Sequence, residues 1–308
     1  MAVIGLGYVG MPLAKEAVAA GLKVVGLDVD PRKVDALKAG QSYIDDLTDA
    51  DLDHMLANGF TATLDETVLA ECSTIVICVP TPLDEDHRPD LSAVEGASKT
   101  VARNMGKDTL VVLESATWPG TTDELVRPLL ESSGLTMRRR LPPGLLAGAH
   151  RPGQPQVRPA QHPPKVVGGY TPACRDRATA FYGRFVEQVV PVSSTREAEM
   201  AKLLENTYRH VNIALVNEMA IFCDELGVDL WEAIEAAATK PFGFHKFLPG
   251  PGVGGHCIPV DPSYLSYTVR KLGYPFRFVE LAQEINERMP SYVVARVQRL
   301  LNRHKKRR

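Results

Sequence analysis

Cys257 stands in "LPGPGVGGHCIPVDPSYL", a stretch crowded with glycine and proline. A structural cysteine usually sits in a regular element among apolar neighbours. In a loop, backbone N–H groups can converge on the thiol and a substrate can approach it, as a nucleophile requires. Asp261 follows four residues on, within reach for proton transfer. In "EMAKLLENTYRHVNIALVNE", Lys202 and Asn206 are four apart and share one face of a helix. An ammonium and an amide facing a reaction centre stabilise a developing oxyanion, and losing one such donor typically costs about 10²–10³ in rate. On spacing alone, a solvated helical face is an equal alternative for this pair.

A second constellation opens the chain. "GLGYVG" supplies Gly5, Gly7 and Gly10 as G-x-G-x-x-G, with Tyr8 and Val9 inside the turn. Gly5 permits the tight turn, Gly7 lets the backbone approach a pyrophosphate, and Gly10 allows close packing of helix on strand. The helix that follows offers unpaired N–H groups to phosphate. Asp28 ends the next strand pattern and suits the 2′-hydroxyl of an adenine ribose, which favours NAD over NADP. Arg32 nearby weakens that preference.

These residues need a scaffold, and the patterning supplies one. "AVIGLG", "KVVGLD", "STIVICVP" and "TLVVLES" read as short buried strands, each followed by a helical pattern. Pro12 and Gly21 punctuate the first helix, and Asp30 with Pro31 opens the second. This rhythm predicts an α/β fold: an N-terminal Rossmann-type parallel sheet covered on both faces. A mostly helical central module should follow, with one long helix from Glu197 to Gly227 of about 45 Å. Further helices are expected at Leu230–Thr239, Pro262–Leu272 and Glu280–Arg288. The expected domains are residues 1–192 for NAD binding and 193–308 for the helical module with its cysteine loop.

The bulk numbers fit this reading. The chain has 308 residues, 44% of them hydrophobic and 23% charged, with a formal net charge of -2. That balance gives no case for nucleic-acid binding. No apolar run reaches the ~18 residues of a membrane span, and the start lacks the basic region of a signal peptide. Five scattered cysteines without a C-x-x-C pair argue against a metal site or a disulfide framework and suit a reducing cytoplasm.

The strings "VIGLGYVGMPLA", "VPTPL" with "PDLS", "ESATWPGTT", "KLLENTYRHVNIALVNE" and "PGPGVGGHCIPVDP" resemble the nucleotide-sugar 6-dehydrogenases, the UDP-glucose and GDP-mannose dehydrogenase family. The stretch from Lys240 to Tyr267 is most similar to the branch acting on UDP-N-acetylhexosamines, such as UDP-N-acetylglucosamine 6-dehydrogenase. The resemblance implies NAD-dependent oxidation of a sugar C6 alcohol to the carboxylate through a thiohemiacetal and a thioester on Cys257. It implies that Lys202 and Asn206 steady an oxyanion and that Asp261 assists proton transfer. Thr81 and Thr117 would lie by the cofactor. The Phe242–Gly255 loop, with Gly250, Gly252 and Gly254, would hold the UDP-sugar. A cytoplasmic homodimer through the long helix, serving polysaccharide precursor synthesis, is implied as well.

Three departures stand against that pattern. The strand-end motif reads Ser115-Ala116 where the family has S-T, leaving open whether Thr117 substitutes. The family's C-terminal UDP-binding domain is expected to be absent. The segment Thr136–Pro163 has six prolines and no acidic or aromatic residue, where the family carries Y-S-P-E-R-x-x-P-G with a glutamate assigned to thioester hydrolysis. One permitted set of codons for Pro142–Pro163, read one base later, gives H-L-A-Y-S-P-E-R-I-D-P-G-N-P-R-F-G-L-R-N-T-P. Residues 137–163 are therefore read as out of frame between two compensating shifts, replacing a core strand and its acidic loop. The alternative to an active enzyme is a catalytically impaired remnant that only binds NAD or dimerises. An ordinary hydroxyacid dehydrogenase would need no cysteine.

Overall fold

The computed structural model describes residues 1–84, 88–132, 164–255 and 257–305. Met1–Asp84 and Pro89–Lys202 form one compact unit and the chain from Leu203 forms another. The division falls inside the long helix, beyond the expected boundary at 192.

The first unit begins with β1 (Ala2–Ile4), α1 (Gly10–Ala19), β2 (Val24–Leu27), α2 (Pro31–Lys38), α3 (Asp49–Ala57) and β3 (Phe60–Thr63). It continues with β4 (Thr74–Ile77), α4 (Ser92–Asn104), β5 (Leu110–Leu113), a π-helical turn at Thr122–Val126 and α5 (Arg127–Glu131). Five strands make a parallel sheet in the order β3-β2-β1-β4-β5. β1, β4 and β5 are buried at every position, as apolar runs covered on both faces must be. α1 buries Met11, Leu13, Ala14, Ala17 and Val18 against them. Asp30 caps α2 by accepting from Arg32 N, with Pro31 in the first turn. The strand order reverses between β1 and β4, and in sheets of this kind ligands bind beyond the strand ends at that point.

After the undescribed stretch come β6 (Lys165–Val167), α6 (Pro172–Tyr182) and β7 (Val189–Pro191). Among the described residues β6 pairs only with β7, in parallel, as a separate two-stranded sheet. The out-of-frame reading of 137–163 lies outside the described residues. Among the described residues, side chains link β6 and α6 to Glu114 at the end of β5. Lys165 Nζ lies 2.5 and 2.6 Å from the Glu114 carboxylate oxygens, Tyr182 donates its hydroxyl to Glu114, and all three side chains are buried.

α7 (Thr195–Leu226) is the expected long helix, roughly 48 Å at 1.5 Å per residue. α8 (Leu230–Ala238) and α9 (Asp261–Lys271) follow within a residue of their expected bounds. α10 (Arg277–Lys305) overturns one expectation: the helix expected over Glu280–Arg288 starts earlier and runs on through Pro290 to Lys305. A proline removes one helical hydrogen bond. Val279, Ala282, Ile285 and Met289 are buried along that face, and this packing outweighs the lost bond. The second unit's core includes Val216, Cys223, Leu230 and Ile234, with a smaller cluster of Ala214, Ala282 and Ile285.

Candidate functional site

In the first unit the glycine loop joins β1 to α1 at the switch point. A Cβ on Gly10 would fall 2.0 Å from Gly5 O, and one on Gly5, whose φ is +91°, would fall 2.8 Å from Cys78 O. Only glycine lets helix, turn and β4 approach so closely. At Gly7 nothing lies within 4 Å, so the backbone is open to a ligand there. Asp28 is buried at the end of β2, accepting from Leu6 N at 2.8 Å and from Asp30 N at 3.0 Å, with Lys33 Nζ 3.4 Å away. A carboxylate has about four acceptor sites, so capacity for a ribose hydroxyl remains. Arg32, which weakens the NAD preference in the sequence, is held by Asp30 through two side-chain bonds of 3.0 and 2.8 Å. That pairing, led by the side-chain bond, lowers the Asp30 carboxyl and raises the Arg32 guanidinium.

Beyond β5 the chain turns through Ser115–Thr122 and is tied to α7. Ser115 Oγ donates to Val79 O at 2.7 Å. Thr117 is buried, and its hydroxyl has no hydrogen-bond partner among the described residues. Glu199 on α7 accepts from Gly120 N at 2.5 Å, Thr122 N at 3.0 Å and Thr122 Oγ1 at 2.6 Å. Burial pushes the Glu199 carboxyl up to about 7, against the pull of those three donors. Lys202 lies one turn on. Its charge bears on the buried Cys78 thiol, which follows β4, and on the Lys165 ammonium. Thr81 lies in the loop that follows β4.

In the second unit, Asn206 Nδ2 donates to Asp261 Oδ2 at 2.5 Å, and Arg209 Nη2 donates to Asn206 Oδ1 at 2.5 Å. Asp261 is buried at the start of α9, and its N–H and that of Val260 donate to the Cys257 carbonyl at 2.8 and 3.1 Å. Cys257 itself is half-buried. Three of the four expected catalytic residues are thus brought together here. Asn206 keeps a second N–H, so it can both hold Asp261 and donate elsewhere. The loop before Cys257 is irregular. Phe242 is 82% exposed, while Tyr208 on α7 bonds His245 at 2.6 Å and stacks edge-on with Phe247.

Sequence reading missed Glu199, Asn217 and Asn286. Asn217 is fully buried, accepting from Gly250 N at 2.8 Å and donating to Asn286 Oδ1 at 2.9 Å. For Asn217 and Asn286 the signal is a polar residue among mostly apolar neighbours one helical turn away; Glu199, with Thr195, Arg196 and Lys202 there, has none. Among the described residues no group of three His, Cys, Asp or Glu side chains is placed to hold a metal, and no helix is long and apolar enough to cross a membrane.

Comparison with known proteins divides the chain between residues 186 and 196. Residues 1–186 match the NAD binding domain of the UDP-glucose/GDP-mannose dehydrogenase family, and residues 196–288 match its central domain. The UDP-N-acetyl-D-mannosamine dehydrogenase of Yersinia pestis is 36% identical, over 96% of this chain and 71% of that protein. The NDP-N-acetyl-D-galactosaminuronic acid dehydrogenase of Ralstonia solanacearum is 35% identical, over 99% and 72%. Among solved structures, the UDP-D-ManNAc dehydrogenase of Pyrococcus horikoshii superposes with a TM-score of 0.87 at 34% identity, covering 99% of this chain and 72% of that one.

Proposed function

Since this chain belongs to the UDP-glucose/GDP-mannose dehydrogenase family of NAD-dependent nucleotide-sugar dehydrogenases, we propose that it oxidises the C6 alcohol of a UDP-N-acetylhexosamine to the uronic acid, with Cys257 as nucleophile. The observation that carries this reading is the Cys257–Asp261–Asn206 constellation: a half-buried thiol whose own carbonyl starts the helix bearing a buried, amide-bound carboxylate. Relatives named for N-acetylmannosamine and N-acetylgalactosaminuronic acid support an N-acetylhexosamine over plain glucose.

NAD, when bound, supplies the hydride acceptor for both oxidations. The fit is physical: open space at Gly7, glycine-only packing at Gly5 and Gly10, and a buried Thr117 hydroxyl without a partner among the described residues. Tyr8, Val9, Asp28, Arg32 and Thr81 complete the set that would hold it. Once the aldehyde forms, the Cys257 sulfur adds to its carbon and the oxygen takes a proton, giving a thiohemiacetal. Loss of that hydroxyl proton together with a hydride leaves a thioester, and water cleaves the C–S bond to release the carboxylate and restore the thiol. Lys202 and Asn206 donate to the oxygen as it gains charge, and Asp261 moves the proton. Gly250, Gly252, Gly254, Gly255 and Phe242 line the approach for the sugar nucleotide. α7 leaves Leu204, Tyr208, Leu215, Phe222 and Leu226 exposed along its length, and we read that stripe as the face of a homodimer in the cytoplasm.

The test is purified protein with NAD⁺ and UDP-N-acetylmannosamine, UDP-N-acetylglucosamine or UDP-glucose. The expected result is two NADH per sugar, fastest with an N-acetylhexosamine, and loss of more than about 10³-fold in Cys257→Ala. NAD binding without NADH from any of the three would identify a remnant instead.

A further inference from the structure

Cys257 follows an irregular, glycine-rich loop, and the structure shows what holds that loop. The Gly250 N–H donates to Asn217 Oδ1 at 2.8 Å, the Asn217 Nδ2 donates to Asn286 Oδ1 at 2.9 Å, and the Asn286 Nδ2 points to His210 O at 3.4 Å. The two amides sit on different helices, α7 and α10, and both are buried. Their orientation is not free. A backbone N–H at one end and a backbone carbonyl at the other force each amide to accept on its oxygen and donate from its nitrogen.

A second feature meets the first at the same place. Pro290 has no N–H, so the Asn286 carbonyl one turn earlier lacks its helical donor. Gly252 sits against that carbonyl. A Cβ there would fall 3.1 Å from Asn286 O and 3.9 Å from the Pro290 ring, and φ at Gly252 is +128°. The proline that α10 carries inside its length therefore marks the seat of the loop. On its other side Cys257 is fixed by Val260 N and Asp261 N, which bond its carbonyl.

We infer that Asn217 and Asn286 are positioning residues: with the Pro290 notch they hold the loop preceding Cys257 in one arrangement and so set where its sulfur stands. The inference rests on Cys257 as the reacting thiol, but its test needs no substrate. A displacement near 1 Å at a reacting atom can cost about 10²-fold in rate.

In Asn217→Asp the carboxylate can still accept from Gly250 but cannot donate to Asn286, so the chain of amides breaks at its middle. Gly252→Ala disturbs the same seat without touching a polar group and serves if Asn217→Asp does not fold. For each, hydrogen exchange at residues 250–255 and the alkylation rate of Cys257 by iodoacetamide are measured across pH, with Cys257→Ser as background. The expected result is about tenfold or greater faster exchange in the loop, a changed alkylation rate, and kcat reduced about 10²-fold with a smaller change in KM. Unchanged exchange overturns the inference. So does faster exchange with unaltered alkylation, because the amides would then hold the loop without placing the sulfur. Failure of the unaltered protein to form NADH would sink the dehydrogenase reading and leave exchange and alkylation as they stand.

Discussion

Two glycine-rich loops look alike in the sequence and are built differently. In residues 5–10 the protein's own backbone dictates the glycines: Cβ atoms at Gly5 and Gly10 would lie 2.8 and 2.0 Å from neighbouring carbonyl oxygens. In residues 250–255, positions 254 and 255 face open space and Gly252 alone meets a close neighbour. The first loop is shaped by strands that adjoin it. The second is shaped by Asn217 and Asn286, each more than thirty residues from the glycine it serves. A motif is legible when its constraint is local, and the cofactor loop satisfies that condition where the cysteine loop does not.

If this contrast is right, the stiff first unit should suffer most in stability. Lys165→Met strands the buried Glu114 carboxylate and should cost about 3–5 kcal/mol in urea unfolding. Adding Glu114→Gln should restore part of it, since no buried charge then stands alone. Next, Gly10→Ala drives a methyl into the Gly5 carbonyl and should lose about 3 kcal/mol, with NAD binding by fluorescence titration abolished.

Glu199 adds a pH signature to the same unit. Its folded value of about 7 lies above its ordinary 4.5. Folding therefore favours the protonated form, so its contribution to stability is full below about pH 4.5 and is lost as pH rises through about 7. That loss is on the order of 3 kcal/mol, and Glu199→Gln should flatten it when urea midpoints are compared from pH 4.5 to 8. The smallest effect belongs to the open loop. Gly254→Ala should stay within about 0.5 kcal/mol of the parent, with its consequence confined to KM for the nucleotide sugar. Equal destabilisation by Gly254→Ala and Gly10→Ala would erase the contrast.

Much of the scaffold was legible for the same reason of locality. β1, β2, β4 and β5 follow from short apolar runs and α2 from Asp30-Pro31, all signals carried within a few residues. β3 and α3 passed unnoticed: "FTAT" is half polar, and the Thr48–Asp51 capping box that starts α3 precedes a weakly amphipathic stretch. α10 runs past its expected end at Arg288 because tertiary packing overrules the local helix-breaking tendency of Pro290. In the candidate site, Cys257 stood out by its loop context with Asp261 four residues on, while Lys202 and Asn206 were even with a solvated face on spacing and gained their roles from the resemblance. Glu199, Asn217 and Asn286 did not stand out, because a buried polar side chain on a helix reads like a solvated one until its partner on another element is known.

The most direct measurement is intact and peptide-level mass spectrometry of the protein quenched with acid during turnover of UDP-N-acetylmannosamine and NAD⁺. A sugar-nucleotide mass bound to the peptide bearing Cys257, absent in Cys257→Ala, is the predicted result. NADH formation that continues unchanged in Cys257→Ala, with no adduct in the parent protein, would contradict it.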